Sequence, residues 1–209
     1  MNAARKRGEA TTIDLPSLVV GLPAAPPAEL DSYLDAAGRC FARHGITRTT
    51  VSDVSREMRV SRATVYRQVG SVEAMARLFL ARELRRVLSM LSEELSGPLG
   101  PQAIVDLLAA VVRFASEHPV LVKVLADEPE IVGPFLLEEH AEIVARMTVV
   151  LVPLLAHGMT QRRLARRKPA WLAEWLVRSA ISLLLAPPPG DPREFLAELL
   201  LPVLTPEGG

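Results

Sequence analysis

A single cysteine, Cys40, occurs in the 209 residues. That excludes an internal disulfide framework and any cysteine-based zinc cluster, and it points to a reduced, cytoplasmic compartment. Aromatic side chains make up only 4% of the chain. Leu, Ala, Val and Arg dominate instead, a composition that leans to helix over sheet. Net charge is absent too, with 24 basic residues against 24 acidic, so the total says nothing about partners. No stretch reaches the roughly 18 uninterrupted apolar residues of a membrane span. The longest, Met147 to Ala156, carries Pro153, and no membrane partner is expected. Arg5, Lys6 and Arg7 precede an apolar stretch, Leu15 to Ala25, as in a secretory signal. Glu9 and Asp14 intervene, however, and Pro16, Pro23, Pro26 and Pro27 interrupt it, which favours a tail over a leader. Gly-rich phosphate loops, nucleophile elbows and paired carboxylates are missing, so no enzyme activity and no cofactor are expected. His118, His140 and His157 lack metal-ligand spacing, and Glu138, Glu139, His140 and Glu142 share one segment where a solvated face accounts for them.

What the chain does have is length enough for a sizeable core, in one large domain or two small ones, and persistent helical spacing. Residues 1–27 show no sustained period and read as a flexible arm. From Ala28, apolar residues recur at Leu30, Tyr33, Leu34, Ala37 and Phe41, a helix stopped by Gly45. Thr50 with Asp53 three residues later reads as a capping box opening a helix to about Met58. Ser61 can cap another, Arg62 to Val69, which Gly70 ends. Ser71 caps a long helix from Val72 to about Leu95, broken by Gly97, Pro98, Gly100 and Pro101. Further helices follow over Gln102 to Glu117 and Val120 to Ala126. Pro129 to about His157 reads as mostly helical, disrupted at Gly133-Pro134 and kinked at Pro153. Pro169 opens a helix carrying Trp171 and Trp175, and Asp191-Pro192 opens the last one, with Phe195, Leu196, Leu199 and Leu200. No internal repeat and no strand alternation occur. The expected fold is all-α with about nine helices.

The zero net charge hides an asymmetry. From Ala36 to Met90 there are eleven arginines against four acids, a net of +7. From Gly97 onward the balance is −3, ten bases against thirteen acids. A basic N-terminal third suits a polyanion, although a solvated helix surface gives the same tally. The two short capped helices, joined by Arg59-Val60 and packed on the first, form a helix-turn-helix. In such a unit the second helix enters the major groove with its N-terminal side chains on base edges. Val51, Val54, Met58, Val60 and Val65 can make its small core. Arg62, Ala63, Thr64, Arg67 and Gln68 are left facing outward, types suited to bases and phosphates.

Residues 30–80 resemble the DNA-binding domain of the TetR (tetracycline-repressor) family. The run Val60-Ser61-Arg62-Ala63-Thr64-Val65-Tyr66, followed by Gly70-Ser71-Val72-Glu73-Ala74, carries most of the likeness, and Ala36-Ala37 and Phe41-x-x-x-Gly45 agree with it. The resemblance implies a helix-turn-helix domain over residues 28–71 and a helical ligand-binding and dimerisation domain over 72–209. It implies that Tyr66 and Thr50 meet backbone phosphates, that Ser61, Arg62 and Thr64 enter the groove, and that Ser52, Ala63, Arg67 and Gln68 complete the DNA-binding set. A plain core tyrosine is the alternative for Tyr66. The sequence departs from the family at Arg59, in a turn where glycine is usual, so a positive φ is expected there. Val72 stands where Lys or Arg is usual, and Gln68-Val69 replace the usual aromatics.

The implied partners are double-stranded operator DNA, a small hydrophobic or amphipathic ligand, and a second copy bound through helices 169–186 and 191–204. Met75, Phe79, Phe114, Met147, Trp171 and Trp175 are candidates for the ligand-pocket wall, with a ligand expected between the helix after Ser71 and the Trp171/Trp175 helix. For any single one of the six, core filling is the better reading. The basic cluster Arg162, Arg163, Arg166, Arg167 and Lys168 reads as a solvated loop, with an anionic ligand or second DNA contact as the other reading. Three functions fit: a ligand-released repressor, a constitutive or architectural DNA-binding dimer, and a helical carrier with a vestigial DNA-binding unit.

Overall fold

In a computed structural model of the chain the residues described are 23–95, 97–134, 138 and 140–206. The first 22 residues of the expected arm therefore lie outside them. After a 3-10 turn at Ala28–Leu30, the α-helices among the described residues are α1 Asp31–His44, α2 Val51–Met58, α3 Arg62–Val69, α4 Val72–Glu94, α5 Pro101–Glu117, α6 Pro119–Asp127, α7 Pro129–Pro134, α8 His140–Thr160, α9 Pro169–Leu185 and α10 Pro192–Leu204. Within the stretch expected to be mostly helical from Pro129 to His157, the described helices are α7 and α8. Pro153 is accommodated inside α8. By length and composition α8 could cross a membrane, with a mean hydropathy of 1.6. It also carries Arg146 and buries Val144, Val150, Leu155 and Met159 against the rest of the chain.

Local chemistry sets the boundaries of the short helices. The Thr50 hydroxyl accepts from Asp53 N–H while the Asp53 carboxylate accepts from Thr50 N–H, the reciprocal capping box. Ser61 and Ser71 cap α3 and α4 through the N–H groups of Thr64 and Ala74. Between α2 and α3, Arg59 adopts φ 57° and ψ 39°, the left-handed conformation in which a side chain is strained and glycine is at ease.

Three apolar clusters hold the helices together. The first joins Leu34, Ala37 and Phe41 of α1 to Val54 of α2 and to Val65 and Val69 of α3. It does not close at residue 71, because Met75 and Phe79 of α4 and Val120 and Val124 of α6 belong to it. The second unites α5, α8, α9 and α10, and the third packs the far end of α4 on α5 and α8. Phe79 wedges edge-on against Phe41, ring centroids 5.7 Å apart, and lies so close to α1 that a Cβ on Gly38 would sit 2.6 Å from its ring. Because that ring is hemmed in by Phe41 and His118, Gly38→Val is expected to destabilise the protein by about 1–3 kcal/mol through overpacking. A lower denaturant midpoint at unchanged m-value would register it; an unchanged midpoint would show that the ring moves aside freely.

Candidate nucleic-acid interface

Helix α3 is pinned to the body by Val65 and Val69, both buried, and the rest of its surface is open. Arg62, Ala63, Arg67 and Gln68 are exposed and Thr64 is half-buried, its hydroxyl 2.8 Å from that of Ser61. Tyr66 is 63% exposed, which disposes of the core-tyrosine alternative. On α2, Thr50 is exposed at the N-terminus and Ser52 is half-buried one residue into the helix. The hydrogen bonds from the Thr50 hydroxyl and N–H hold the Asp53 carboxyl below its ordinary range, so the cap stays ionised and formed at neutral pH.

The charge pattern of this third becomes specific once ion pairs are assigned. Arg39 bonds Glu57 at 2.6 Å, Arg43 bonds the same carboxylate, and Arg56 lies 3.3 Å from Asp53. These bonds, that from Arg43 foremost, depress the Glu57 pKa. Arg82 is buried and spans Asp31, Asp35 and Glu83, Arg86 pairs with Glu83, and Arg85 donates to the Pro23 carbonyl. Among the described residues, Arg59, Arg62, Arg67 and Arg77 form no ion pair within 4 Å. Two of those four lie on α3 and one in the turn that leads to it. Arg85 is a fifth cation without an acidic partner, so three of the five in the basic third lie on α3 or in the turn before it. Arg77, exposed on α4, was not among the expected DNA contacts.

Behind this face, Arg43, His44, Arg48, Asp53 and Lys123 line an open cleft of about 380 Å³ between α1, the start of α2 and α6. At its edge the side chain of Glu128, from the α6–α7 junction, reaches the turn after α1. Its oxygens accept from the N–H groups of Ile46 at 2.7 Å and Thr47 at 2.8 Å, and from the Thr47 hydroxyl. Burial pushes the Glu128 carboxyl up, but these bonds outweigh it and hold the group below the usual carboxylate range. Nothing in the local sequence distinguishes Glu128 from Asp127 or Glu130, so periodicity could not have singled it out.

The expected pocket wall does not assemble. Met75 and Phe79 are buried in the helix-turn-helix core. Phe114 stacks on His118, centroids 5.0 Å apart, and His118 in turn faces Phe79. Met147 is half-buried on α8. Trp171 and Trp175 are 67% and 51% exposed, because α9 turns Ala173, Leu176 and Val177 inward. Since α4 packs on α1 and α5, and α9 on α8 and α5, α5 stands between the two helices that were expected to enclose a ligand. The expected site between α4 and the tryptophan helix is corrected accordingly. The five basic residues between 162 and 168 are all exposed, and the Lys168 ammonium lies 3.8 Å from the centre of the Trp171 ring. His118 caps α6 through Nδ1, which accepts from Leu121 N–H, and His140 approaches Arg178. No metal-holding group of His, Cys, Asp or Glu occurs among the described residues.

Comparison with known proteins matches residues 34–78 to the family described as bacterial regulatory proteins, tetR family. An uncharacterized HTH-type transcriptional regulator of Mycobacterium tuberculosis is 26% identical over 180 residues, spanning 84% of this chain and 85% of its own. Among solved structures, the ketosteroid transcriptional regulator KstR2 of M. tuberculosis superposes with a TM-score of 0.55 at 17% identity over 88% of this chain and 99% of its own. The TetR-family repressor AlkX of Dietzia sp., implicated in biodegradation of n-alkanes, gives 0.54 at 21% over 87% and 95%. The fatty acid degradation regulator FadR of Bacillus halodurans gives 0.59 at 15% over 87% and 97%. The helix-turn-helix thus lies inside the segment that matches the tetR family, and the chain behind it shares the all-helical fold of these solved regulators.

Proposed function

We propose that the protein is a cytoplasmic, homodimeric repressor that grips a near-palindromic operator and is released from it by a small apolar ligand. The observation that carries the DNA-binding part is the open face of α3, where Arg62 and Arg67 stand unpaired beside an exposed Tyr66. In this reading residues 28–71 bear the DNA contacts and 72–209 the sensing and dimerising body. Arg62 reads a base edge, with Ser61, Ala63 and Thr64 beside it in the groove. Thr50, Ser52, Tyr66, Arg67 and Gln68 seat the backbone. The α2 N-terminus adds its dipole at a phosphate.

The dimer reading rests on apolar side chains left in solvent. Phe195, Leu199 and Val203 recur every four residues along α10, and Trp171 and Trp175 do the same on α9. Leu196, expected in the interface, is instead 3% exposed and part of the protomer's own core. The ligand reading draws on relatives whose descriptions name ketosteroids, n-alkanes and fatty acids, and on the apolar clusters of the body, where Phe114 and Met147 remain its candidates. The test begins with selecting duplexes from a random pool with the purified protein. Binding should weaken steeply with salt as counterions are released, and long-chain fatty acids or sterols should then release the selected duplex. Operator DNA must weaken the binding of such a ligand by the same factor. If no compound in a broad apolar screen alters operator affinity, the constitutive dimer replaces the switch. A protein that selects no duplex would be a carrier.

A further inference from the structure

We infer that Glu128 is a positioning residue for DNA binding, the point at which the body clamps the α1–α2 turn and so fixes the N-terminus of α2 against the operator backbone. The inference rests on the DNA-binding reading above and adds a residue outside the helix-turn-helix to it. Glu128 is 1% exposed. A buried carboxylate is costly unless its oxygens are satisfied, and an apolar residue of similar size generally stabilises a core more. Here both oxygens are satisfied, by Ile46 N–H on one side and by Thr47 N–H and hydroxyl on the other. The clamp is shaped for that one group. Gly45 takes φ +85°, and a Cβ there would sit 2.6 Å from Oε1 of Glu128, so the turn can close on the carboxylate only with glycine at this position.

The clamp is anchored on both sides. On the body side, Glu128 N–H donates to Val124 at the end of α6 and its carbonyl accepts from Ile131 in α7. Beside it, Asp127 pairs with Lys123 and lies 3.7 Å from Arg48 of the turn. On the DNA-binding side the turn is stiff. The buried Thr49 donates its hydroxyl to the Gly45 carbonyl at 2.6 Å and its N–H to Ile46, and the next residue is Thr50, the cap of α2. Only Arg48 and Thr49 separate the gripped Thr47 from that cap, with few torsions free to absorb a displacement. Each amide held by Glu128 therefore sets where the α2 N-terminus points, and phosphate contacts depend on that direction.

The test uses the full-length protein and a duplex selected by the wild type. Glu128→Gln keeps the side chain's size but turns an NH₂ towards one of the two amides. Operator affinity is expected to fall at least tenfold. The slope of log affinity against log salt should drop by about 0.9 for each phosphate lost, and hydrogen exchange at the Ile46 and Thr47 amides should accelerate. A purely structural role would reduce the active fraction without changing that slope. Thr47→Val, on an exposed residue, removes only the hydroxyl donor. It should give a smaller loss of the same kind even if Glu128→Gln fails to fold. Wild-type affinity and slope in either folded variant would overturn the inference while leaving the DNA-binding reading intact. A wild type that selects no duplex would sink both, and the exchange rates would still report whether the carboxylate holds the turn.

Discussion

Replacing Arg62 by alanine is expected to remove base preference at one position of each operator half-site, at a cost of about 1–3 kcal/mol on the preferred base, or roughly 5- to 150-fold in affinity. Arg62 is the first residue of α3, exposed and free of ion pairs. Its guanidinium can therefore present two donors to a guanine edge without first breaking an intramolecular bond. Tyr66→Phe should behave differently. Loss of a single hydroxyl aimed at a phosphate weakens every sequence alike, so the selected motif stays and its affinity drops uniformly. Arg39→Ala is the control. Arg39 is as exposed as the others but is tied to Glu57, and its removal should leave the motif unchanged. Repeating duplex selection with the three variants separates these outcomes. An Arg62→Ala protein that selects the wild-type motif would mean that the recognition helix sits in another register.

The parts of this site that are local in sequence could be read there. Thr50 with Asp53, and Ser61 and Ser71 before their helices, act within one turn of chain, and all three caps form. The strained turn at Arg59 was implied by the family resemblance, which puts glycine at this position, and its φ is positive. What could not be read are choices made by distant packing. Helix α9 is apolar on most of its surface, so its period does not say whether Trp175 or Leu176 faces inward; contact with α5 and α8 selects Leu176. On α10 two apolar stripes run one residue apart, Phe195-Leu199-Val203 and Leu196-Leu200-Leu204, and both have helical spacing. The second is buried against α5. Glu128 was the least visible of all, because its partners lie 81 and 82 residues away in the chain and its burial exists only once α6 crosses α1.

The same pair of stripes on α10 yields the other large effect. Leu199 is 54% exposed whereas its neighbour Leu196 lies in the second cluster with Leu200 and Leu204. Aspartate at these two positions, three residues apart, should therefore produce two different failures. Leu196→Asp loses buried apolar contacts worth about 2–5 kcal/mol and adds a charge with no partner, so the fold itself should melt at much lower temperature. Leu199→Asp places its charge where a single protomer meets water, and that protomer should keep its melting behaviour while sedimenting as a monomer. Trp175→Asp on α9 should do the same if both helices belong to one interface. The consequence for DNA is geometric. A two-fold dimer presents two recognition helices about 34 Å apart to successive major grooves, and the second half-site is bound at a high effective concentration. Losing it costs on the order of 10²- to 10⁴-fold in affinity without altering any base contact. Sedimentation and duplex titration on the same samples decide the matter. A Leu199→Asp protein that remains dimeric with full operator affinity would place the interface elsewhere, and a Leu196→Asp protein of normal stability would mean that α10 packs the other way round.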